Sequence, residues 1–308
     1  MNQFKVTMFS GKGGVGKTTC AAATALHYAG KGRKTLAIST DATPSLLHIF
    51  KHKNGHKPAK IRNSLYVSEL GLSEVAAMWD EKFGRDVYDV FSTFVAIDYQ
   101  AFVEFTTSIL PGLRDEFMVD YIKELTCSHT YDSIIWDTAP LGQTLALLQT
   151  PSMLLDHLRM APRIYSRLKL SHVNKEPVFS IIRRWEKLSA EDVDFLRNDV
   201  EFIIVTIPEA LAVTQLKDIF GQMNRYGLSV NKLVINNVVK EIDSTFLQTK
   251  AEQQQRYLNQ IYTSYPGLEI VELPWFSREV TGEDRLGEVE KILFSVDLNG
   301  AGFQSTSG

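Results

Sequence analysis

The sequence predicts an α/β fold, in which a mainly parallel β-sheet is flanked by helices. Short runs rich in β-branched residues alternate with helical patterns along the 308 residues. Most of these runs are almost continuously apolar, which is typical of strands that are buried on both faces of a sheet. Such alternation favours a parallel sheet with helical crossovers. We expect strands at 5–10, 34–39, 65–70, 133–137, 201–206, 232–238 and 268–273.

The composition favours a globular protein of a reducing compartment. Hydrophobic residues make up 44% of the chain and charged residues 22%, as in ordinary cytosolic domains. The formal net charge of -3 gives no overall attraction to nucleic acid, so we expect no nucleic-acid partner. Cys20 and Cys127 lie far apart, which argues against a disulfide framework. Because no apolar run reaches the roughly 18 residues of a membrane span and no secretory signal is present, we expect a cytoplasmic protein.

Two long stretches without strand signals interrupt the alternation, at 72–128 and 151–199. Apolar residues recur there at three- and four-residue steps, which indicates helices, and prolines should break them. We expect one helical subdomain, built from both insertions, within a single domain at 1–298 that precedes a disordered tail at 299–308. The apolar stripes could pack together as a core or form an exposed groove for an apolar partner. The stripe positions are Trp79, Phe83, Val87, Val90, Phe91, Phe94, Leu154, Leu155, Leu158, Ile164, Leu168, Ile181, Ile182 and Trp185, and the expected breaks are at Pro111, Pro162 and Pro177.

A basic stretch at 51–60 follows the second predicted strand. Its lysines and histidines favour a solvated loop, with metal or anion binding as the minor alternative.

A glycine-rich loop, GKGGVGKT at positions 11–18, joins the first predicted strand to an alanine-rich helix. Glycines allow consecutive backbone N–H groups to surround phosphate oxygens, and the helix N-terminus adds positive potential. In this pattern Lys17 neutralises the β- and γ-phosphates and Thr18 ligates Mg²⁺. The sequence therefore predicts a P-loop NTPase sheet that binds ATP and Mg²⁺ through Gly11, Gly13, Gly14, Val15, Gly16, Lys17, Thr18 and Thr19.

Two aspartates follow later predicted strands, at the sheet edge where phosphate ligands bind. Asp41 comes after the second strand, where a carboxylate can orient or deprotonate the water that attacks the γ-phosphate; the alternative role is a helix N-cap. Asp137 ends the strand at 133–137 and is expected to hold Mg²⁺ through water, as a Walker B carboxylate does.

A second lysine, Lys12, follows the first glycine of the loop, where ordinary phosphate loops accept almost any residue. The loop thus resembles the deviant Walker A group, which includes partition ATPases, the nitrogenase iron protein and arsenite-pump ATPases. In that group the additional lysine reaches across a face-to-face dimer to the partner's nucleotide. The resemblance implies a homodimer in which Lys12 is catalytic; the alternative is an exposed lysine without a role.

Over nearly the whole chain the sequence resembles one family of this group, the arsenite-pump and tail-anchored-protein-targeting ATPases, known together as anion-transporting ATPases. The resemblance implies ATP hydrolysis, a hydrogen bond from Asn236 to adenine, and a segment at Pro274 that flanks the base. It is carried by the loop, by switch segments at 39–41 and 137–145, by Pro111-Gly112, and by the segments 206–209, 233–237, 255–262 and 273–274.

The sequence also departs from the family pattern. The first switch usually reads Asp-Pro-Ala-His and the second carries a histidine, whereas here Asp41 is followed by Ala42, Thr43 and Pro44, and Gln143 replaces the histidine. We therefore expect altered switch mechanics. The region 240–254, which matches the part of eukaryotic targeting factors that carries a zinc-binding Cys-x-x-Cys pair, has no cysteine, so a zinc-clamped dimer is not expected.

The resemblance implies an ATP-hydrolysing dimeric switch that couples nucleotide state to a hydrophobic client, such as a tail-anchored membrane segment, and to a membrane receptor. The alternatives are the catalytic subunit of an anion or metalloid efflux system and a partition-type regulatory ATPase. Neither cysteine matches the As(III) ligands of arsenite-responsive members. The C-terminal segment 283–291 is acidic, whereas a partition ATPase normally needs a basic surface.

Overall fold

The computed structural model describes residues 5–40, 45–52, 58–92, 96–109, 111–138, 156, 159–160 and 175–295. The predicted water-activating residue and the altered switch positions lie outside these ranges: Asp41, Ala42, Thr43, Pro44 and Gln143.

An eight-stranded sheet in the order β3-β4-β2-β5-β1-β6-β7-β8 forms the centre of the fold. Every pairing is parallel except that of β3 with β4. The predicted α/β class, a mainly parallel sheet flanked by helices, is therefore confirmed. The strands are β1 Val6–Gly11, β2 Thr35–Ser39, β3 Ala59–Arg62, β4 Leu65–Glu69, β5 Ser133–Asp137, β6 Val200–Thr206, β7 Val230–Val238 and β8 Glu269–Pro274.

Strand β3 was not predicted, because its residues begin inside the basic stretch expected to be a loop. Ala59 is buried while Lys60 is exposed, so the strand has only one apolar face. It pairs antiparallel with β4 at one edge of the sheet. An edge strand needs hydrogen-bonding partners on only one side and carries charged residues readily, which is why its sequence lacks the apolar pattern of the inner strands.

The strand order brings the candidate site together. Strand β1 lies between β5 and β6, and β2 lies on the other side of β5. In the paired registers, Phe9 lies opposite Asp137, and Ser39 also lies opposite Asp137. Parallel strands end at the same edge of a sheet, so the residues that follow β1, β2 and β5 leave the sheet side by side.

The helix after the phosphate loop, α1 (Lys17–Gly30), is rich in alanine. Alanine has the highest helix propensity, and Ala21, Ala22 and Ala25 are fully buried, so the small side chains bring the helix close to the sheet. The helix ends where Gly32 adopts φ +81 and donates its N–H to the carbonyl of Ala29 at 3.0 Å. Glycine takes such positive φ values without steric cost.

The Cα positions divide the chain into two compact units. The first comprises 1–69, 130–141 and 200–308, and the second comprises 70–129 and 142–199. The first contains the whole sheet and the helices Lys17–Gly30, Leu46–Ile49, Ala210–Arg225, Thr245–Ser264 and Glu283–Leu293. The second contains Leu72–Trp79, the π-helix Asp80–Gly84, Arg85–Phe91, Tyr99–Ile109, Pro111–Cys127 and Lys175–Asn198.

The helical unit has an apolar core of its own. Trp79, Phe102 and Ile182 are at most 2% exposed, and the ring of Phe83 packs edge-on against that of Phe117 at 6.3 Å. Of the predicted stripe positions, Trp79 and Ile182 are therefore interior residues of the unit, and Phe83 is half-buried. The later stripe positions Phe94, Leu154, Leu155, Leu158, Ile164 and Leu168 lie outside the described residues.

Prolines mark helix starts in this unit. One helix begins at Pro111, and the helix Lys175–Asn198 carries Pro177 in its first turn. Because the first N–H groups of a helix have no partner within it, proline is tolerated there. Pro111 thus starts a helix at an expected break, and Pro177 lies in the first turn of its helix. Pro162, the third expected break, lies outside the described residues. Among the described residues, no helix has the combination of length and apolarity that crossing a bilayer requires.

Charged side chains meet in the interior of the helical unit. Asp192 is fully buried and Asp120 is 1% exposed. Lys123 forms ion pairs with Asp192 and, at 3.4 Å, with Asp120, while Lys82 pairs with Asp120. Burial raises the pKa of Asp192 to about 7, although the charge of Lys123 acts to lower it. Asp192 therefore takes up a proton near neutral pH.

Replacing Asp192 should change how stability depends on pH. The pKa of Asp192 is about 7 in the folded protein and 3.8 in an unperturbed carboxyl, so this group adds stability as the pH falls from about 7 towards 4. Relative to Asp192→Asn, the wild type should gain about 2 kcal/mol in the free energy of unfolding between pH 7.5 and pH 5.5. Urea unfolding at both pH values measures the difference. Asp194→Asn, at an exposed position on the same helix, is the control, and parallel pH profiles for wild type and Asp192→Asn would contradict the assignment.

Candidate nucleotide-binding site

The phosphate loop starts from a position that only glycine can occupy. Gly11 is the last residue of β1 and lies opposite Val205 of β6. A Cβ atom on Gly11 would lie 2.2 Å from the carbonyl oxygen of Val205, a contact that would force the two strands apart. Gly11 therefore allows the chain to turn out of the centre of the sheet without a break in pairing.

Lys17 is held against the loop that precedes it. Its residue is only 6% exposed, and its ammonium donates a hydrogen bond to the backbone carbonyl of Lys12 at 3.1 Å. A buried cation is costly unless it meets polar partners. The side chain thus lies along the loop at the N-terminus of α1, where helix potential also favours an anion, and Lys17 and the loop form one cationic cradle.

Lys12 has a different environment, although it lies in the same loop. Its residue is half-buried, while the neighbouring Gly13 and Gly14 are exposed. The backbone carbonyl of Lys12 is engaged by Lys17. Within the described ranges, no hydrogen bond or ion pair engages the Lys12 ammonium. The two lysines therefore differ in their contacts. The ammonium of Lys17 binds its own loop, whereas no described residue of the loop binds the ammonium of Lys12.

Asp137 is a buried carboxylate at the end of β5, with 1% exposure. The hydroxyl of Ser39 donates to its Oδ2 at 3.5 Å. Cys20 of α1 lies close enough to be affected: burial, together with the negative charge of Asp137, raises the pKa of Cys20 to about 12. The thiol is therefore protonated at neutral pH and makes a poor metal ligand or nucleophile.

Hydrogen bonds join the ends of the three strands around this carboxylate. The backbone N–H of Thr40 donates to the carbonyl of Asp137 at 3.2 Å, and the indole N–H of Trp136 donates to Thr40 Oγ1 at 3.1 Å. Thr138 Oγ1 donates to the carbonyl of Phe9 at 2.6 Å. Hydrogen bonds therefore hold the start of both segments. Thr40, which leads to Asp41, is bonded to β5, and Thr138 is bonded to β1.

Asn236 lies at the end of β7 and contacts the phosphate loop directly. Its side-chain Nδ2 donates to the backbone carbonyl of Val15 at 2.9 Å. Pro274 lies at the end of the neighbouring strand β8, where it pairs with Val238. The backbone carbonyl of Val238 also accepts a hydrogen bond from the N–H of Trp275 at 2.9 Å. Sequence reasoning placed Asn236 and Pro274 at the adenine, and that role stays a prediction. It missed the contact with Val15, which lies 221 residues away.

The residues present fit a nucleotide with a magnesium ion. Thr18 supplies a hydroxyl in the first turn of α1 and Asp137 a carboxylate, and Mg²⁺ prefers such oxygen ligands together with substrate phosphates and water. Among the described residues, no group of three or more acidic, histidine or cysteine side chains could hold a metal by itself. A site completed by nucleotide phosphates is consistent with this. Bound Mg²⁺ would supply charge neutralisation on the β- and γ-phosphates.

A glycine loop between the central strand and a helix, with a lysine in the loop and a buried aspartate on the neighbouring strand, defines a P-loop NTPase. The sequence profile of the anion-transporting ATPase family matches residues 4–295. The chain belongs to this family, and it is an ATPase.

Relatives of the chain extend over nearly its whole length. It is 28% identical over 298 residues to arsenical pump-driving ATPase 2 of Aquifex aeolicus, covering 94% of this chain and 99% of that protein. It is 27% identical over 301 residues to ATPase GET3A of Arabidopsis thaliana, covering 92% and 81% respectively. ATPase GET3 of Chaetomium globosum is 26% identical over 301 residues, covering 92% and 88%. The resemblance predicted from the sequence is confirmed at the level of the family.

Proposed function

We propose that the protein is a cytoplasmic homodimeric switch, in which ATP binding and hydrolysis control the binding of a hydrophobic client such as a tail-anchored membrane segment. The observation that supports the switch is that the two loop lysines have different environments. Lys17 is committed to its own loop, whereas the half-buried Lys12 carries a charge that no described residue engages. A cation placed beside a phosphate site is suited to a nucleotide presented by a second copy.

Each site residue has a role in the proposed hydrolysis. The backbone of the loop and Lys17 bind the β- and γ-phosphates, while Thr18 and Asp137 hold Mg²⁺. Asp41 orients the water and accepts its proton as the water oxygen attacks the γ-phosphorus. The bond from the γ-phosphorus to the bridging oxygen breaks, and ADP and phosphate are released. Lys12 of the opposing protomer neutralises the charge that develops on the bridging oxygen.

The switch proposal links the chemistry to the two segments that leave the sheet beside the site. Thr40 and Thr138 tie the starts of these segments to Asp137 and Phe9. Loss of the γ-phosphate removes a contact for the segments beyond these anchors, as in other nucleotide switches. In sequence, the range 142–199 that follows belongs to the helical unit, which is where we place the client.

A defined probe tests the client. A labelled peptide with an apolar helix of about 20 residues should bind the full-length protein with an affinity that differs at least about fivefold between ATP and ADP. The same peptide with two central arginines should not bind. Equal affinity in the two nucleotide states would remove the client proposal and leave the ATPase intact.

Metalloid efflux is the second candidate, because the Aquifex aeolicus relative is named as an arsenical pump-driving ATPase. The thiol environment argues against a metalloid site at Cys20, since that thiol is buried and its pKa is raised to about 12. A titration of ATP turnover with arsenite or antimonite separates the candidates: stimulation would favour the pump subunit, and a flat response would remove it.

Asp41→Asn should trap the ATP-bound closed state. Without a carboxylate to orient and deprotonate the water, ATP turnover should fall at least about 100-fold while ATP still binds. Light scattering after size exclusion with ATP should show a persistent dimer. Asp243→Asn, at an exposed position in the loop before α-helix Thr245–Ser264, is the control. Normal turnover in Asp41→Asn would leave Asp41 with only a helix-capping role.

A further inference from the structure

We infer that Asn236 is a positioning residue for the phosphate loop, so that the strand expected to read the base also sets the shape of the loop that holds the phosphates. The inference rests on nucleotide binding at the loop and does not depend on the proposed adenine contact or on the client.

The contact between Asn236 and the loop is close on two sides. The amide Nδ2 donates to the carbonyl of Val15 at 2.9 Å. The next residue, Gly16, adopts φ +99, and a Cβ atom there would lie 2.3 Å from the same Nδ2. Val15 is itself 1% exposed, so its peptide has little freedom to move. The Asn236 amide thus occupies the space that a side chain at Gly16 would need, and it fixes the peptide before the last glycine of the loop.

The backbone of β7 is shaped to direct Asn236 to this position. The following residue, Asn237, has a left-handed φ of +59, a conformation that asparagine adopts more readily than most residues. The register between β7 and β8 shifts between Ile235 and Val238. The strand therefore bends at Asn236 and Asn237, where a regular strand would have continued along β8.

A buried glutamine holds this bend. Gln254, from the helix Thr245–Ser264, is 4% exposed. Its amide donates to the carbonyl of Asn237 at 2.9 Å and its Oε1 accepts from the N–H of Val239 at 2.8 Å. One side chain thus bonds the backbone at Asn237 and at Val239, on the C-terminal side of the bend. Buried polar networks tend to fix one geometry when their groups are bonded, which supports a defined position of Asn236 relative to Val15.

Inorganic tripolyphosphate separates the positioning role from base recognition, because it has phosphates and no base. Asn236→Ala should weaken tripolyphosphate binding to the full-length protein by about tenfold, in line with loss of one partly buried hydrogen bond and the freedom this gives the loop. ATP binding should weaken at least as much. Isothermal titration of both ligands, with Mg²⁺ present, measures the two effects. Unchanged tripolyphosphate affinity with weakened ATP affinity would overturn the inference and leave a base-reading residue only.

Two further variants protect the test from a folding artefact. Asn236→Leu keeps a side chain of similar shape and adds no charge but cannot donate to Val15, so it should also weaken tripolyphosphate binding. Asn231→Ala, in the same strand, removes a different side-chain hydrogen bond, from the N–H of Phe202 at 3.1 Å, and should leave both affinities unchanged. Equal losses in Asn231→Ala and Asn236→Ala would show that strand stability, and not the loop contact, determines the result. A wild type that binds neither ligand would overturn the nucleotide assignment itself.

Discussion

Lys17→Ala is expected to abolish ATP binding. The wild-type ammonium lies along the loop, 6% exposed as a residue and 3.1 Å from the carbonyl of Lys12, so it needs little rearrangement to meet phosphate oxygens. Charge-assisted hydrogen bonds to phosphate are among the strongest that proteins form. We expect a loss of affinity of at least about 100-fold, equivalent to roughly 3 kcal/mol. Titration of a fluorescent ATP analogue measures it.

The control for this result is the fold of the variant. Removing Lys17 also removes its bond to the loop, so the thermal unfolding of the variant without nucleotide should be compared with that of wild type. An ATP affinity within about threefold of wild type, with the fold retained, would show that the loop backbone alone holds the phosphates.

Lys12→Ala is expected to bind ATP almost normally and to lose hydrolysis. In the proposed dimer this lysine acts on the nucleotide of the opposing protomer, in the manner of an arginine finger, and the loss of such a cation typically costs about 1,000-fold in turnover. ATP affinity should remain within about threefold of wild type, because Lys17 supplies the cation within each protomer. Steady-state ATPase rates and ATP titrations measure the two quantities separately.

Mixing two inactive variants tests whether Lys12 acts across the dimer. In a mixed dimer of Lys12→Ala and Asp41→Asn, the first protomer keeps its own Asp41 and receives an intact Lys12 from its partner. One site is then complete, so activity should return on mixing. If Lys12 acted within its own protomer, each site of the mixed dimer would lack one residue, and the mixture would stay inactive. Wild-type turnover in the single Lys12→Ala variant would also refute the role.

The sequence predicted the parts of this protein in which local pattern and structure coincide. Inner strands such as β1 and β5 are buried over their whole length and are mostly apolar because both faces are covered, and the loop at 11–18 has its chemistry in consecutive residues. Strand β3 was missed because an edge strand does not need an apolar pattern. The glycines and lysines of the loop could therefore be assigned from the sequence, but the edge of the sheet formed by β3 could not.

Contacts between distant residues were beyond prediction for a different reason. The bond from Asn236 to Val15 and the charged cluster around Asp192 depend on how separate elements pack. A resemblance pointed to Asn236 as a base-binding residue, but only the observed bend at Asn237 brings its amide to the loop. The one local signal was a pair of asparagines at a strand end, a residue type that tolerates positive φ.

The phosphate loop starts inside the central sheet, because Gly11 is paired with Val205 of β6. With 2.2 Å between a hypothetical Cβ and the opposing carbonyl, a side chain at the first residue of the loop would break this pairing. The loop is thus joined to the middle of the sheet at its first residue. In the proposed dimer, we therefore expect movement on hydrolysis to begin in the chain that continues from β2 and β5, so engineering that aims to alter the rate of switching, without loss of affinity, belongs in those two segments.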